Sequence, residues 1–208
     1  MTNPLFSTYS QQENQVTGTI LSVFEHLGTS LVEDILETAL DESDLSVVTF
    51  QSQYVAEDSV PDAVIRSSVS LFIETKTRPG EVTRSQLENH HTALEDEETR
   101  KKLLVVLKPD ENEPTAVRAI DNEQVVWISF DTLVSSLEAL LSRDESVSTE
   151  QTRPPTERET FLIRELIRFV HDAELILSAV TSWNDSAPRG AEICHGITAD
   201  SISRRPRR

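Results

Sequence analysis

Lysine is scarce in this chain: four (Lys76, Lys101, Lys102 and Lys108) stand among 208 residues, beside fifteen arginines. Basic residues of both kinds number 19 against 36 acidic ones, giving a formal net charge of −17. That balance excludes a simple DNA-coating protein, whose affinity rests on clustered positive charge. It does not exclude nucleic acid as a substrate, because metal ions can hold phosphate locally. The one cysteine, Cys194, excludes an internal disulfide and points to a reducing interior. The five glycines form neither a P-loop nor a Gly-x-Gly-x-x-Gly turn, so no nucleotide-driven motor is expected. No apolar run approaches the ~20 residues that span a bilayer. The start, MTNPLFSTYSQQENQ, lacks the basic and apolar regions of a signal peptide. A soluble, cytoplasmic protein with no membrane partner is expected.

Acid excess together with lysine depletion matches the cytosolic proteins of high-salt organisms, where salt screens the self-repulsion. A halophilic, archaeal source is therefore the expectation, with an ordinary acidic protein as the alternative. The charge is uneven. Residues 189–208 carry five basic and two acidic residues and end in RRPRR, which marks a tail.

Periodicity sets out the elements. Val16, Ile20, Val23, Phe24 and Leu27 form one apolar helical stripe over about Gln12–Leu27, with Ser10 and Glu13 as a capping box and Gly28 as a stop. Ser30–Leu40 continues as a second helix. Leu45–Val55 is β-branched and aromatic and reads as a strand. Ala63–Arg66 and Val69–Thr75 read as two more, turning near Ser67-Ser68. Ser85–Leu94 is helical; LLVVL (103–107) and VVWISF (125–130) read as strands buried on both faces. Asp131 is the expected cap of the next helix, carrying Leu133, Leu137 and Leu140. The order α-α-β-β-β-α-β-β-α implies an α/β fold, a mixed sheet with helices on both faces, spanning residues 1–142. A linker (143–156), a C-terminal helix (157–182) and a disordered tail (183–208) follow.

The sharpest chemical signal lies in the middle hairpin. Pro61-Asp62 is followed, after eleven residues, by Glu74-Thr75-Lys76. With the chain reversing near Val69, Asp62 lies across from the end of the next strand and shares a face with Glu74 and Lys76. The other face carries Ala63, Ile65, Val69, Leu71 and Ile73. Two carboxylates converging at a strand end can hold a hard divalent cation such as Mg²⁺, and the Thr75 carbonyl can complete the coordination. Such a metal polarises phosphate and activates water. Lys76 either orients or deprotonates that water, or offsets charge in the transition state. The plainer reading is a solvated edge-strand ion pair. LFIETK reads as a buried strand, however, where a Glu and a Lys need a reason to be present.

Asp62…Glu74-Thr75-Lys76, set in PDAVI and LFIETKT, resembles the PD-(D/E)xK nuclease superfamily, the restriction-endonuclease-like fold. The resemblance covers about residues 5–142 and implies the motif on the second and third strands of an α-β-β-β-α-β core. It implies a supporting Glu on the first helix, matched by Glu13. It also implies a Gln on the helix after the motif, matched by Gln86. RecB-like members place an aromatic residue, usually Tyr, four positions after that Gln; here His90 stands there, one helical turn away and facing the site. The implied activity is hydrolysis of phosphodiester bonds in DNA, dependent on Mg²⁺ (or Mn²⁺) held by Asp62, Glu74 and Thr75, with Lys76 serving the attacking water.

Other residues read as structural. His91 reads as a surface or packing residue, and Trp127 as core within VVWISF. The long C-terminal helix has its apolar residues interrupted by Arg158, Arg164, Arg168 and Asp172. It is expected to pack on the domain or on a partner helix, with a homodimer or partner protein as its other use. A rival from a different class keeps the fold without catalysis, as a protein-interaction or dimerisation module.

Overall fold

The computed structural model describes residues 12–47, 49–52, 60–66, 68–143 and 153–176. The first apolar stripe makes helix α1 (Gln12–Phe24), and Leu31, Val32, Ile35 and Leu36 make the buried face of α2 (Thr29–Leu40). Strands β1 (Thr49–Ser52), β2 (Ala63–Arg66) and β3 (Val69–Thr75) follow, then helix α3 (Arg84–Glu95) and strand β4 (Lys101–Lys108). A one-turn helix α4 (Thr115–Arg118), strand β5 (Val125–Ser129), and helices α5 (Phe130–Leu141) and α6 (Glu157–Asp172) complete the order.

The five strands form one open mixed sheet in sequence order. β1, β2 and β3 run antiparallel, and β3, β4 and β5 run parallel. Every residue of β3 is buried, because helices cover both faces. On one side, Phe72 meets Leu104 and Val106 of β4, Leu87 and Leu94 of α3, and Val117 of α4. On the other, Leu71 and Ile73 face Ile20, Phe24, Leu36 and Leu133 around a void of about 30 Å³. Truncating the fully buried Phe72 to Ala would cost about 3–5 kcal/mol. No helix among the described residues is long and apolar enough to cross a membrane.

Several expectations give way to local chemistry. Of the strand expected over Leu45–Val55, residues 48 and 53–55 lie outside the described residues, and Thr49–Ser52 forms strand. Leu45 and Val47 spend their amides on the Glu37 and Glu33 carboxylates of α2 instead, each at 2.9 Å. Helix α1 ends at Phe24, and Gly28 precedes α2 as its N-cap position. The cap of α5 is Ser129, whose hydroxyl accepts from the Thr132 amide at 2.9 Å; Asp131 sits inside the first turn. Trp127 packs against the cluster around Phe72 but is only partly buried, since it stands on β5, the strand at one side of the sheet.

Helix α6 is shorter than the expected 157–182. It closes in a Schellman motif: Leu175 N–H returns to the Val170 carbonyl at 3.3 Å, and Glu174 N–H to His171 at 3.0 Å. The left-handed position is Glu174 (φ 55°) rather than a glycine. The apolar face of α6, with Ile163, Leu166, Phe169 and Val170 buried, packs on α1 and α5 of the same chain. The Ser10 cap, most of the linker, residues 177–182 and the tail lie outside the described residues.

One carboxylate fastens α6. Glu159 takes the Gly28 amide at 2.9 Å, the Thr156 amide at 2.8 Å, the Thr156 hydroxyl at 2.7 Å and both terminal nitrogens of Arg153. A Cβ at Gly28 would meet the Arg153 guanidinium, which would have to shift from its place on Glu159 to admit it. Hydrogen bonds from Arg153, and then from Thr156 and Gly28, outweigh burial and hold the Glu159 carboxyl far below the usual range. A depressed carboxylate contributes stability above its unfolded value of ~4.3, and loses it as pH falls. Glu159→Gln should therefore cost about 1–3 kcal/mol at neutral pH in urea unfolding. Its deficit should shrink below about pH 4. A deficit independent of pH would contradict the charged lock.

Candidate functional site

Glu74 is the last inward residue of β3, on the face covered by α3, and is 1% exposed. The hairpin register pairs Ala63 with Ile73, so Asp62 and Glu74 stand opposite one another at the next step. Asp62 Oδ2 accepts the Thr75 amide at 2.8 Å, which ties the start of β2 to the end of β3. Lys76 lies just beyond β3, and its amide continues the ladder to the Leu107 carbonyl at 2.9 Å.

Side chains from the end of β3 and from α3 meet at the Glu74 carboxylate, and α1 reaches the same place through Lys76. Lys76 Nζ stands 2.7 Å from Oε1, and Gln86 Nε2 donates to the same oxygen. His90, one turn further along α3, donates its Nε2–H to Oε2 at 2.9 Å, since an ionised carboxylate can only accept. From α1, Glu13 Oε2 reaches the Lys76 ammonium at 3.2 Å across the carboxyl end of the sheet. The Thr17 hydroxyl, one turn along α1, donates to the Thr75 hydroxyl at 2.8 Å and anchors that helix to β3. The five residues singled out in the sequence, Asp62, Glu74, Lys76, Glu13 and Gln86, thus meet in one place. The sequence reading placed His90 on the site's side of α3 without giving it a partner. It missed Thr17. The signal for both was spacing: each sits four residues beyond a site residue on its own helix.

The electrostatics follow from burial and pairing. Burial first, and then the charge of Glu74, push the Asp62 carboxyl up to about 6, against the opposing pull of the Thr75 amide and Lys76. Burial alone would also raise Glu74. The hydrogen bonds from His90 and Lys76, with their charge, outweigh it and hold that carboxyl below its usual value. Burial alone would lower Lys76, but the Glu74 and Glu13 carboxylates hold it above its ordinary value. In this arrangement Lys76 is therefore an ammonium, suited to orienting a water or offsetting charge rather than to removing a proton. Of the other cations near the motif, Arg66 is committed to Glu97 through two bonds of 2.6 and 2.7 Å. Arg78 and Arg84 are exposed and pair with Glu81 and Glu88.

The oxygens present are of the hard kind that Mg²⁺ or Mn²⁺ takes. Both Glu74 oxygens already carry protein donors. Among the described residues, no group of three or more His, Cys, Asp or Glu side chains is arranged around a cation position. The carboxylates of Asp62, Glu74 and Glu13 outnumber the one ammonium between them. That excess of carboxylates adds to burial, the larger cause, in raising Asp62. No protein-family model, curated protein or solved structure matches the chain.

Folded Asp62 keeps its proton to about pH 6, whereas an unfolded chain releases it near ~3.9. The folded state binds more protons in that window, so stability falls as pH rises through it. Asp62→Asn should accordingly gain on the wild type between about pH 4 and pH 7. Carbon-detected NMR should place the Asp62 midpoint near 6; a midpoint at or below about 4 would contradict the buried, like-charged setting.

Proposed function

We propose that this chain is a metal-dependent nuclease of the restriction-endonuclease-like fold that hydrolyses phosphodiester bonds in DNA. The observation that carries the proposal is the meeting of Asp62, Glu74, Lys76, Glu13 and Gln86, from α1, the β2–β3 hairpin and α3, at the carboxyl end of the central strand. The element order through β4, α-α-β-β-β-α-β, supports the same reading.

Asp62, Glu74 and the Thr75 carbonyl are the groups that would hold Mg²⁺ or Mn²⁺. Such an ion, when bound, supplies Lewis-acid polarisation of the phosphate and lowers the pKa of a water. The chain's own residues do the rest. Gln86 and His90 fix the rotamer of Glu74, and the Thr75 amide fixes that of Asp62. Glu13 holds the Lys76 ammonium at the strand end. There it faces the charge that gathers on the phosphoryl oxygens as water adds to phosphorus and the ester P–O bond breaks.

A second reading, a catalytically inactive module of the same fold, is favoured by the protein donors already on both Glu74 oxygens. The two readings separate on Mg²⁺ binding and on cleavage. Plasmid and linear DNA, incubated at low and at molar salt, should be cut only with Mg²⁺ or Mn²⁺. Asp62→Ala and Lys76→Ala should each lower the rate by at least about 100-fold, with circular dichroism unchanged. Full cleavage by either variant, or no calorimetric Mg²⁺ binding by the wild type, would rule out the proposed site.

A further inference from the structure

Helix α6 buries Ile163, Leu166 and Val170 against its own chain, and its opposite face is open. Glu157, Phe161, Arg164 and Arg168 follow one another along that open face at spacings of four, three and four residues, and all four are exposed. Residues three and four apart share one side of a helix, so the four make a single stripe. Phe161 is 54% exposed. A lone exposed ring means little by itself; its neighbours in the stripe decide what it does. Among the described residues, the side chains of Glu157 and Arg164 have no hydrogen-bonding or ionic partner. Arg168 reaches Glu165 at 2.9 Å from a side chain 64% exposed, and its guanidinium keeps donors to spare.

The charge of this face differs from that of the chain. Against the net −17, the exposed charges from residue 158 to residue 168 are Arg158, Arg164 and Arg168. The two carboxylates of the same stretch, Glu159 and Glu165, are buried and paired with Arg153 and Arg168. Two copies of the chain repel each other over most of their surface. Along α6 they meet without bringing exposed carboxylates face to face.

The stripe is also its own complement. Its order, Glu-Phe-Arg-Arg, is spaced symmetrically about the midpoint between residues 162 and 163. A second α6 laid antiparallel across it, on a two-fold axis through that midpoint, sets Glu157 opposite Arg168 of the second copy. The same axis sets Phe161 opposite Arg164 of the second copy. Each contact then occurs twice, as a two-fold interface requires. One is an ion pair, and the other places a guanidinium on an aromatic face. A parallel pairing would set Glu157 on Glu157 and arginine on arginine. Sliding the antiparallel pair by one turn toward the carboxyl ends would set Glu157 against Asp172.

We propose that the outer face of α6 is a homodimer contact, in which a second copy of this chain packs antiparallel along Glu157, Phe161, Arg164 and Arg168. A helix of 16 residues is about 24 Å long. One such helix pair lies at the small end of specific interfaces and gives a reversible, concentration-dependent dimer. Nothing in this pairing depends on the chemistry at Glu74, so the dimer and the nuclease reading stand or fall separately.

Sedimentation equilibrium of the full chain between about 1 μM and about 1 mM should show a monomer–dimer equilibrium. At about 0.15 M salt, charges in direct contact still attract. Phe161→Ala should weaken the dimer by about tenfold, since it removes both ring contacts while circular dichroism stays unchanged. Glu157→Arg and Arg168→Glu should each weaken self-association, because each sets like charges opposite one another. Mixed together, these two single variants regain both ion pairs and should associate with each other more tightly than either does with itself. A chain that stays monomeric throughout, a dimer indifferent to Phe161→Ala, or a mixture no tighter than its separate variants would each overturn the proposal. A monomer that binds a single-stranded oligonucleotide in chelator, and binds it less well after Arg164→Ala, would assign this face to nucleic acid and overturn the dimer.

Discussion

The arrangement turns on one buried carboxylate. Glu74 sits at the end of the central strand beneath α3, where an ionised group is tolerated only if its lost hydration is replaced. Lys76, Gln86 and His90 replace it, and Glu13 in turn steadies Lys76. A well-packed apolar residue in the same place would often be at least as stabilising, so fold stability alone does not account for this cluster. What the cluster secures is position. It fixes α1 and α3 against the carboxyl end of β3, where open α/β sheets characteristically bind ligands.

The scarcity of lysine acquires a structural meaning. All four lysines belong to β4 or to the end of β3, and each meets a carboxylate: Lys76 with Glu74 and Glu13, Lys101 with Glu42, Lys102 with Glu95, and Lys108 with Asp110. The cations of the central sheet are thus engaged in holding elements together. A polyanion approaching this −17 chain meets little free positive charge there. An attraction supplied at the site itself, by a divalent ion between Asp62 and Glu74, is what such a charge distribution requires if the substrate is DNA.

The sheet was legible in the sequence because its strands are short runs of β-branched and apolar residues, and because the hairpin register follows from the alternation around Val69. The meeting of Asp62, Glu74 and Lys76 was legible for the same reason. Less legible were features in which side chains substitute for backbone partners. Glu33 and Glu37 take the amides of Val47 and Leu45 that a strand would otherwise have used. Glu174 adopts the left-handed turn that glycine usually marks, so the end of α6 carried no visible stop. Helix α4 is a single turn, too short for periodicity to show. Trp127 looked like core because its run is apolar, but its place at the edge of the sheet leaves the indole N–H beside a cavity.

The most direct test of the central claim is an anomalous-scattering map from crystals grown or soaked with Mn²⁺. The account predicts a peak about 2.1 Å from carboxylate oxygens of both Asp62 and Glu74, with Lys76 drawn off Glu74 Oε1. An occupied Mn²⁺ elsewhere with Glu74 still closed by Lys76, Gln86 and His90, or no peak at saturating Mn²⁺, would contradict it.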